Sequence, residues 1–325
     1  MQLVFVGHRC CDHSPSSGYD QICSLFPEAG WLEGRALQAG RLEWIREPAA
    51  PGAPGPQLFH VFYGDCSGKP LPAILRERFP GAIVVSSAHQ PVNRLRQETA
   101  AWDAIAASDA IITVSEVQAR ELHACGLRIP IHAVAHGVWT RVFRAATPAA
   151  HRDHVLLVGS VLRDWTAATQ VAAGLAEAGV RCVAVGAGPR SHLVSEGTPI
   201  EVLPWVSEDM LARMYAAAAA VFLPFLDATA SNALLEAMAA GCPAVMPRLP
   251  SLVDEYVGDD LDAVDPGRHD LAIARLLHYV RSPEDRAARS QALRARADRF
   301  DWARLKPRYA AVFDSVATRP GCAAV

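Results

Sequence analysis

The sequence predicts an α/β protein of two doubly wound, Rossmann-like domains facing each other across a cleft, and three observations carry that prediction. Short apolar or β-branched runs alternate with longer amphipathic segments, the pattern of βαβ units in a parallel sheet. The alternation lapses after residue 144 and restarts at residue 155. The length, 325 residues, is about twice that of an ordinary domain.

In the first half the expected strands are Leu3–Val6, Leu58–Phe62, Ala82–Ser86, Ala110–Val114 and Ile131–Ala135. Helical stretches Leu71–Phe79, Leu95–Ala107 and Glu116–Cys125 lie between them. Residues 48–56, PAAPGAPGP, can be neither helix nor central strand and read as a surface loop. Residues 145–153 are poor in large apolar side chains and read as a linker. Beyond it come strand Val155–Val158, helix Thr166–Ala178, strands Arg181–Val185 and Ile200–Leu203, helix Asp209–Ala219, strand Ala220–Leu223, helix Asn232–Ala239 and strand Ala244–Met246. The tail, 284–318, reads as helical with a break near Pro307. In open α/β sheets ligands bind beyond the carboxyl ends of strands, near helix N-termini, so the loops after strands are where a site is expected.

Composition narrows the function. Hydrophobic residues make up 51% and charged residues 20%, the net charge is -3, and there is no long basic or acidic block. No nucleic-acid or polyanion partner is implied. None of the eight cysteines forms a C-x-x-C pair, and Cys10–Cys11 has no second pair nearby, so reduced thiols and no metal site are expected. Leu3–Val6 is too short for a signal peptide, and Ala212–Phe222, the most apolar helical stretch, falls short of a membrane span. The expected location is the cytoplasm, with no transmembrane segment.

Residues 223–245, LPFLDATASNALLEAMAAGCPAV, carry the most information. They read as a strand, a polar loop and a helix. Ser231 is an N-cap, its oxygen placed to accept from a first-turn amide. Leu234 stands where a capping-box Glu would be, so the box is absent. The amides of Asn232, Ala233 and Leu234 have no intrahelical partner and suit an anion. Glu236 lies one turn in, within reach of a ligand at the helix start. A carboxylate on so apolar a helix must pair with something, and sugar or ribose hydroxyls are good partners. A buried helix with a chance Glu is the bland alternative. Gly241 ends the helix and Pro243 prevents its return.

The run Ser231-Asn-Ala-Leu-Leu-Glu-Ala-Met-Ala-x-Gly-x-Pro243 resembles the donor-binding signature of retaining GT-B glycosyltransferases of the GT4-like group 1 family. The resemblance implies that Glu236, as the second Glu of an E-x7-E pattern, binds the ribose of a nucleotide-sugar. The first Glu, which contacts the donor sugar, is replaced by Ala228, with Asp227 and Thr229 beside it. His154–Ser160 is similar to the opening strand of the family's second domain, with Ser160 in place of its diphosphate-binding Arg. Arg163 is the nearest cation and would grip phosphate bidentately, or else pair with Asp164. Val185-Gly-Ala-Gly-Pro189 resembles the family's strand–glycine turn; its glycines admit a ligand or serve only the turn. Val202–Ser207 resembles the loop that reads the base, placing Trp205 and Val206 against it unless Trp205 is simply buried.

On the first-domain side, residues 7–20 form a Ser/Gly/Pro-rich loop, and Ser16-Ser-Gly-Tyr19 resembles the loop that approaches the donor phosphates, giving Ser17 and Gly18 that role. His8 and His13 in that loop read as exposed or hydrogen-bonded rather than as metal ligands. His89, after strand Ala82–Ser86, matches a cleft His beside the reacting sugar; a loop-capping His is the alternative. Ser115 should cap the next helix, and His136 either faces the cleft or stacks in the hinge. Asp260-Leu-Asp262 reads as solvated charge. Residues 301–309 resemble terminal helices that return to the first domain.

The resemblance thus implies a GT-B enzyme. Residues 1–147 form the acceptor-side domain, 148–302 the nucleotide-sugar domain, and a helix in 303–325 packs back on the first. The expected reaction moves a hexosyl group to a hydroxyl or amine of a small-molecule or glycan acceptor, with retention and without a metal or other cofactor. His89 and Arg163 are the expected catalytic residues. Ser17, Gly18, Arg163, Trp205, Val206, Thr229, Ser231, Asn232, Ala233 and Glu236 are expected to bind the donor. Ala228 and Ser160 keep two alternatives open: a non-catalytic nucleotide-sugar-binding partner, or another nucleotide-sugar enzyme such as an epimerase.

Overall fold

The computed structural model describes residues 2–9, 14–49, 57–65, 70–146, 152–186, 197–258 and 263–318. The chain divides into two compact units. Residues 1–12, 18–136 and 302–325 form the first, and 13–17 with 137–301 form the second.

The first unit contains β1 (Gln2–Gly7), α1 (Ile22–Leu25), β2 (Gly30–Glu33), α2 (Gly34–Gln38), β3 (Trp44–Arg46), β4 (Gln57–Val61), α3 (Leu71–Arg78), β5 (Ile83–Ala88), α4 (Val92–Gln97), α5 (Thr99–Ala106), β6 (Ala110–Thr113), α6 (Glu116–Ala124) and β7 (Ile131–Ala133). Its sheet runs β3-β2-β1-β4-β5-β6-β7. All neighbours are parallel except β2 and β3. The strands are covered on both faces, which is why β1, β4 and β5 are near-continuous buried runs rather than alternating ones.

The second unit contains α7 (Thr140–Arg144), β8 (His154–Val158), α8 (Trp165–Glu177), β9 (Arg181–Val185), β10 (Ile200–Leu203), α9 (Glu208–Ala217), β11 (Ala220–Phe222), α10 (Asn232–Ala240), β12 (Ala244–Pro247), α11 (Pro250–Leu252), β13 (Ala263–Val264), α12 (His269–Arg281) and α13 (Pro283–Ala297). Its sheet is wholly parallel in the order β10-β9-β8-β11-β12-β13. The core packs Val155, Leu157, Val171, Leu175, Phe222 and Leu276 between sheet and helices. The last helix, α14 (Trp302–Ala317), belongs to the first unit, where Phe313 lies 5.3 Å from His60 and 6.4 Å from Phe5.

Several expected elements differ in the structure. Strands β2 and β3 are absent from the sequence reading; they are four and three residues long, and β2 opens on glycine. The helix expected over Leu95–Ala107 is two helices, parted where Glu98 leaves helical dihedrals (φ -105°, ψ 83°). Helix α12 falls outside every stretch assigned from sequence. Pro307 does not break the tail: it lies inside α14 as its sixth residue, and the helix runs on through it to Ala317 without the one amide bond that proline cannot make. The break is the tight turn Asp298–Phe300 that separates α13 from α14. Ser115 caps α6, accepting from the Gln118 amide at 3.1 Å. Residues 10–13, 50–56, 66–69, 187–196 and 259–262, with parts of the linker and the tail, lie outside the described residues, and with them Cys10–Cys11, His13, Cys66, Ala187–Pro189 and Asp260–Asp262. Among the described residues no helix is long and apolar enough to cross a membrane.

Candidate donor site

In the second sheet the order of connection reverses between β8 and β11, and the loops leaving those strands are where ligands bind in sheets of this kind. The β8–α8 loop begins at Gly159, whose φ of +81° suits a residue without Cβ and whose amide donates to Val185 O at 3.0 Å. Leu162 also has positive φ, 51°. The loop is stitched to the segment after β11: Asp164 N donates to Pro224 O at 2.7 Å and Leu226 N to Leu162 O at 2.9 Å. Asp164 caps α8, accepting from Ala167 N at 2.9 Å, so it is not the ion-pair partner of Arg163.

The half-buried Arg163 folds over this loop. Its Nη2 and Nη1 donate to Val158 O at 3.0 Å and Val161 O at 2.8 Å, and its guanidinium carbon lies 4.3 Å from the Phe225 ring centroid. Burial pulls its pKa down to about 10, still far above neutrality. A cation is therefore held at the strand ends by carbonyls and an aromatic face, and among the described residues no carboxylate is ion-paired with it.

Helix α10 starts beside this loop. Ser231 Oγ accepts from Leu234 N at 3.2 Å, which spends one first-turn amide and leaves those of Asn232 and Ala233. Thr229, Ser231 and Ala233 are buried and Asn232 is half-buried. Ala228, at the position of the missing Glu, is buried too, and the half-buried Asp227 accepts from its amide at 2.8 Å. Gly241 closes the helix at φ +71°.

Glu236 is 2% exposed, and two hydroxyls hold its carboxylate. Ser17 donates to Oε1 at 2.5 Å and Tyr215 to Oε2 at 2.9 Å. Burial lifts the Glu236 pKa from 4.5 to about 7, against the lowering effect of both hydroxyls. Tyr215 is itself pushed well above its ordinary range by burial and by the neighbouring carboxylate. Ser17, expected at the donor phosphates, is thus a ligand of the expected ribose anchor. The same segment is held at a second point by Glu208, which accepts from Ser14 Oγ, from Ser16 N at 2.7 Å and from Ser16 Oγ at 2.9 Å. Gly18, buried and extended (φ -64°, ψ 143°), follows directly.

Trp205 is not a core residue. It is 57% exposed, with Val206 half-buried beside it, and Val161 (60%) and Leu226 (61%) are exposed on the loops after β8 and β11. Large apolar side chains are thus in water at the carboxyl ends of β8, β10 and β11, and the Trp205 ring offers a flat apolar face to a ligand.

In the first unit, His89 follows β5. Its ring lies 4.4 Å from Tyr19, edge to face, and 4.6 Å from Tyr63. His136, 4% exposed, stacks near Trp302 at 5.5 Å and Tyr19 at 5.6 Å. Behind them Ser87 Oγ joins Tyr19 OH and His60 Nε2, each at 2.7 Å. Burial drops the His60 pKa to about 3 and raises that of Tyr19 to about 12, so both are neutral. His8 lies 6.1 Å from Tyr63, ring to ring.

Sequence reasoning passed over Tyr215, Glu208 and Asp65. Tyr215 and Glu208 lie on a helix whose pattern signals only amphipathicity. Asp65 closes the strand run in Phe62-Tyr-Gly-Asp65, and an acid in the loop after a parallel strand was the available signal.

Comparison with known proteins adds the family. Residues 143–280 match the model of glycosyl transferases group 1. Among curated proteins none matches the chain in sequence. Solved structures do match in fold. An E. coli structure described as trehalose-6-phosphate bound with UDP-2-fluoro glucose is 11% identical, with TM-score 0.72 over 98% of this chain and 100% of that one. Sucrose-phosphate synthase from Thermosynechococcus elongatus is 16% identical, with TM-score 0.71 over 97% and 99%. The α,α-trehalose 6-phosphate synthase of Burkholderia multivorans is 17% identical, with TM-score 0.66 over 80% and 72%. The β8-to-α12 region thus matches the group 1 glycosyltransferase model over residues 143–280, and the chain as a whole has the GT-B fold of these neighbours.

Proposed function

We propose that the chain transfers a hexosyl group from a nucleoside-diphosphate sugar to a hydroxyl or amine of a small-molecule or glycan acceptor, with retention and without a metal. The observation that carries this reading is Glu236: a 2% exposed carboxylate whose hydrogen-bond partners among the described residues are two hydroxyls, one turn into a helix that starts at the switch point. Ribose hydroxyls are further partners of the same kind. The Asn232 and Ala233 amides and the Arg163 guanidinium supply positive potential for the diphosphate. They would stabilise the charge that builds as the glycosidic bond breaks. The exposed Trp205, with Val206, offers the base a flat apolar face. His89 is assigned to the reacting sugar or the acceptor. Similar structures include one bound with UDP-2-fluoro glucose and one described for glycosyl transfer with retention by trehalose-6-phosphate synthase, which supports a nucleotide-sugar donor and a retaining course.

One observation favours a second reading. Ala228 is buried and cannot hydrogen-bond a sugar hydroxyl, so the donor sugar lacks a grip that the family has. A protein that binds donor without turning it over would fit that loss. Incubating the protein with UDP-, GDP-, ADP- and dTDP-glucose, with and without cell-extract acceptors, decides between the two. Nucleoside diphosphate release with an α-configured product supports transfer with retention. Binding without release supports the second reading, and neither binding nor release refutes both.

A further inference from the structure

We propose that Asp65 is a positioning residue for His89: its buried carboxylate clamps the backbone amides of the loop after β5 and so fixes where the imidazole stands. The inference deepens the reading above and rests on its assignment of His89.

Asp65 stands just past the end of β4 and is fully buried. One of its oxygens, Oδ2, accepts from both His89 N and Gln90 N, each at 2.5 Å. The Gln90 side chain returns the contact, its Nε2 donating to Asp65 O at 2.6 Å. The turn that brings Asp65 there is built tightly. Gly64 N donates to Ser87 O at 2.8 Å, and a Cβ on Gly64 would come within 2.5 Å of the Ser86 Cβ. Tyr63, one residue earlier, has φ +44° and lays its ring 4.6 Å from that of His89. From the other side, Gln118 Nε2 donates to Gln90 O at 2.9 Å while its Oε1 accepts from Val114 N at 3.1 Å. Residues 89–90 are therefore held by β4, β5 and α6 together, with Asp65 as the charged member.

A carboxylate is a costly way to hold a loop. Burial raises the Asp65 pKa from 3.8 to about 6 in spite of the amide hydrogen bonds, and the charge of Glu98 adds to the rise. In return, a single anionic oxygen accepts two charge-assisted bonds, stronger than a neutral side chain would give. The loop so fixed is the one whose imidazole packs on Tyr19 and Tyr63, and a displacement of about 1 Å at such a group costs up to about a hundredfold in turnover.

The test compares the full chain with Asp65→Ala, Asp65→Asn, His89→Ala and the Asp65→Ala/His89→Ala double variant. Two readouts are used: amide hydrogen exchange over residues 87–91, and nucleoside diphosphate release from the four NDP-glucoses. The expected result is exchange of the His89 and Gln90 amides about tenfold faster in Asp65→Ala, with β1, β4 and the second unit unchanged. Turnover falls about tenfold or more in Asp65→Ala, Asp65→Asn recovers most of it, and Asp65→Ala costs less than about twofold once His89 is already Ala. Losses that multiply in the double variant would mean that Asp65 meets substrate itself and would overturn the proposal, as would unchanged exchange. Full turnover in His89→Ala would overturn the role assigned to His89, and the exchange data would still decide whether the clamp exists. Should Asp65→Ala fail to fold, Asp65→Ser, too short to reach both amides, replaces it.

Discussion

Replacing Glu236 by Gln should make the ligand-free protein more stable at pH 8 while weakening its hold on nucleotide. The carboxylate is 2% exposed, and burial lifts its pKa from 4.5 to about 7. A raised carboxylate pKa means that, between those values, the folded state binds a proton that the unfolded state has lost. Stability from this group is then fully present below pH 4.5 and lost as pH rises through 7. Each pKa unit corresponds to about 1.4 kcal/mol, so the group costs roughly 3 kcal/mol at pH 8, an upper figure. Glutamine has the same shape and no charge to desolvate, and the Ser17 and Tyr215 hydroxyls can each either donate or accept. Urea unfolding at pH 5 and pH 8 should show a stability difference for the wild type that is smaller by about 1–3 kcal/mol in Glu236→Gln. Nucleotide affinity should fall about tenfold, the loss expected for charge-assisted hydrogen bonds to ribose. An identical pH slope in the two proteins, or a variant less stable at pH 8, would refute the burial argument.

Three further outcomes are expected. Arg163→Lys keeps the charge but not the fork that spans Val158 O and Val161 O, so calorimetry should show nucleoside diphosphate binding weakened about tenfold with nucleoside binding little changed. Gly241→Ala places a Cβ at φ +71° against Ser290 and Arg294 and should lower stability by about 2 kcal/mol or more in urea melts, through α10. His60 is held neutral to about pH 3, whereas the unfolded side chain titrates at 6.5. Stability from His60 is therefore present above 6.5 and lost as pH falls, by about 2–3 kcal/mol at pH 4.5, and His60→Gln should remove that part of the acid slope in melts run from pH 7 to pH 4.5.

Much of the fold was legible because its strands are buried on both faces. Runs such as Val155–Val158 and Arg181–Val185 stand out as apolar blocks between helical patterns. Strands β2 and β3 left no such mark: they are short, and β3 is an antiparallel edge with all three residues half-buried. Local chemistry also read through, since the Ser231 cap and the Gly241 stop depend on neighbours in sequence. Contacts between distant residues did not. Nothing in Ser16-Ser-Gly-Tyr19 tells that Ser17 donates to a carboxylate 219 positions later, or that Tyr215 holds its other oxygen. Trp205 shows the same limit, because exposure is a property of the packed loop and not of the residue type.

The central claim is that the second unit binds a nucleoside diphosphate through Glu236. Thermal melting of the wild type and Glu236→Ala with UDP, GDP, ADP and dTDP tests it most directly. One nucleotide should raise the melting temperature of the wild type, because it binds only the folded form, and the variant should lose most of that shift. No shift with any of the four, or an equal shift in the variant, would contradict the claim.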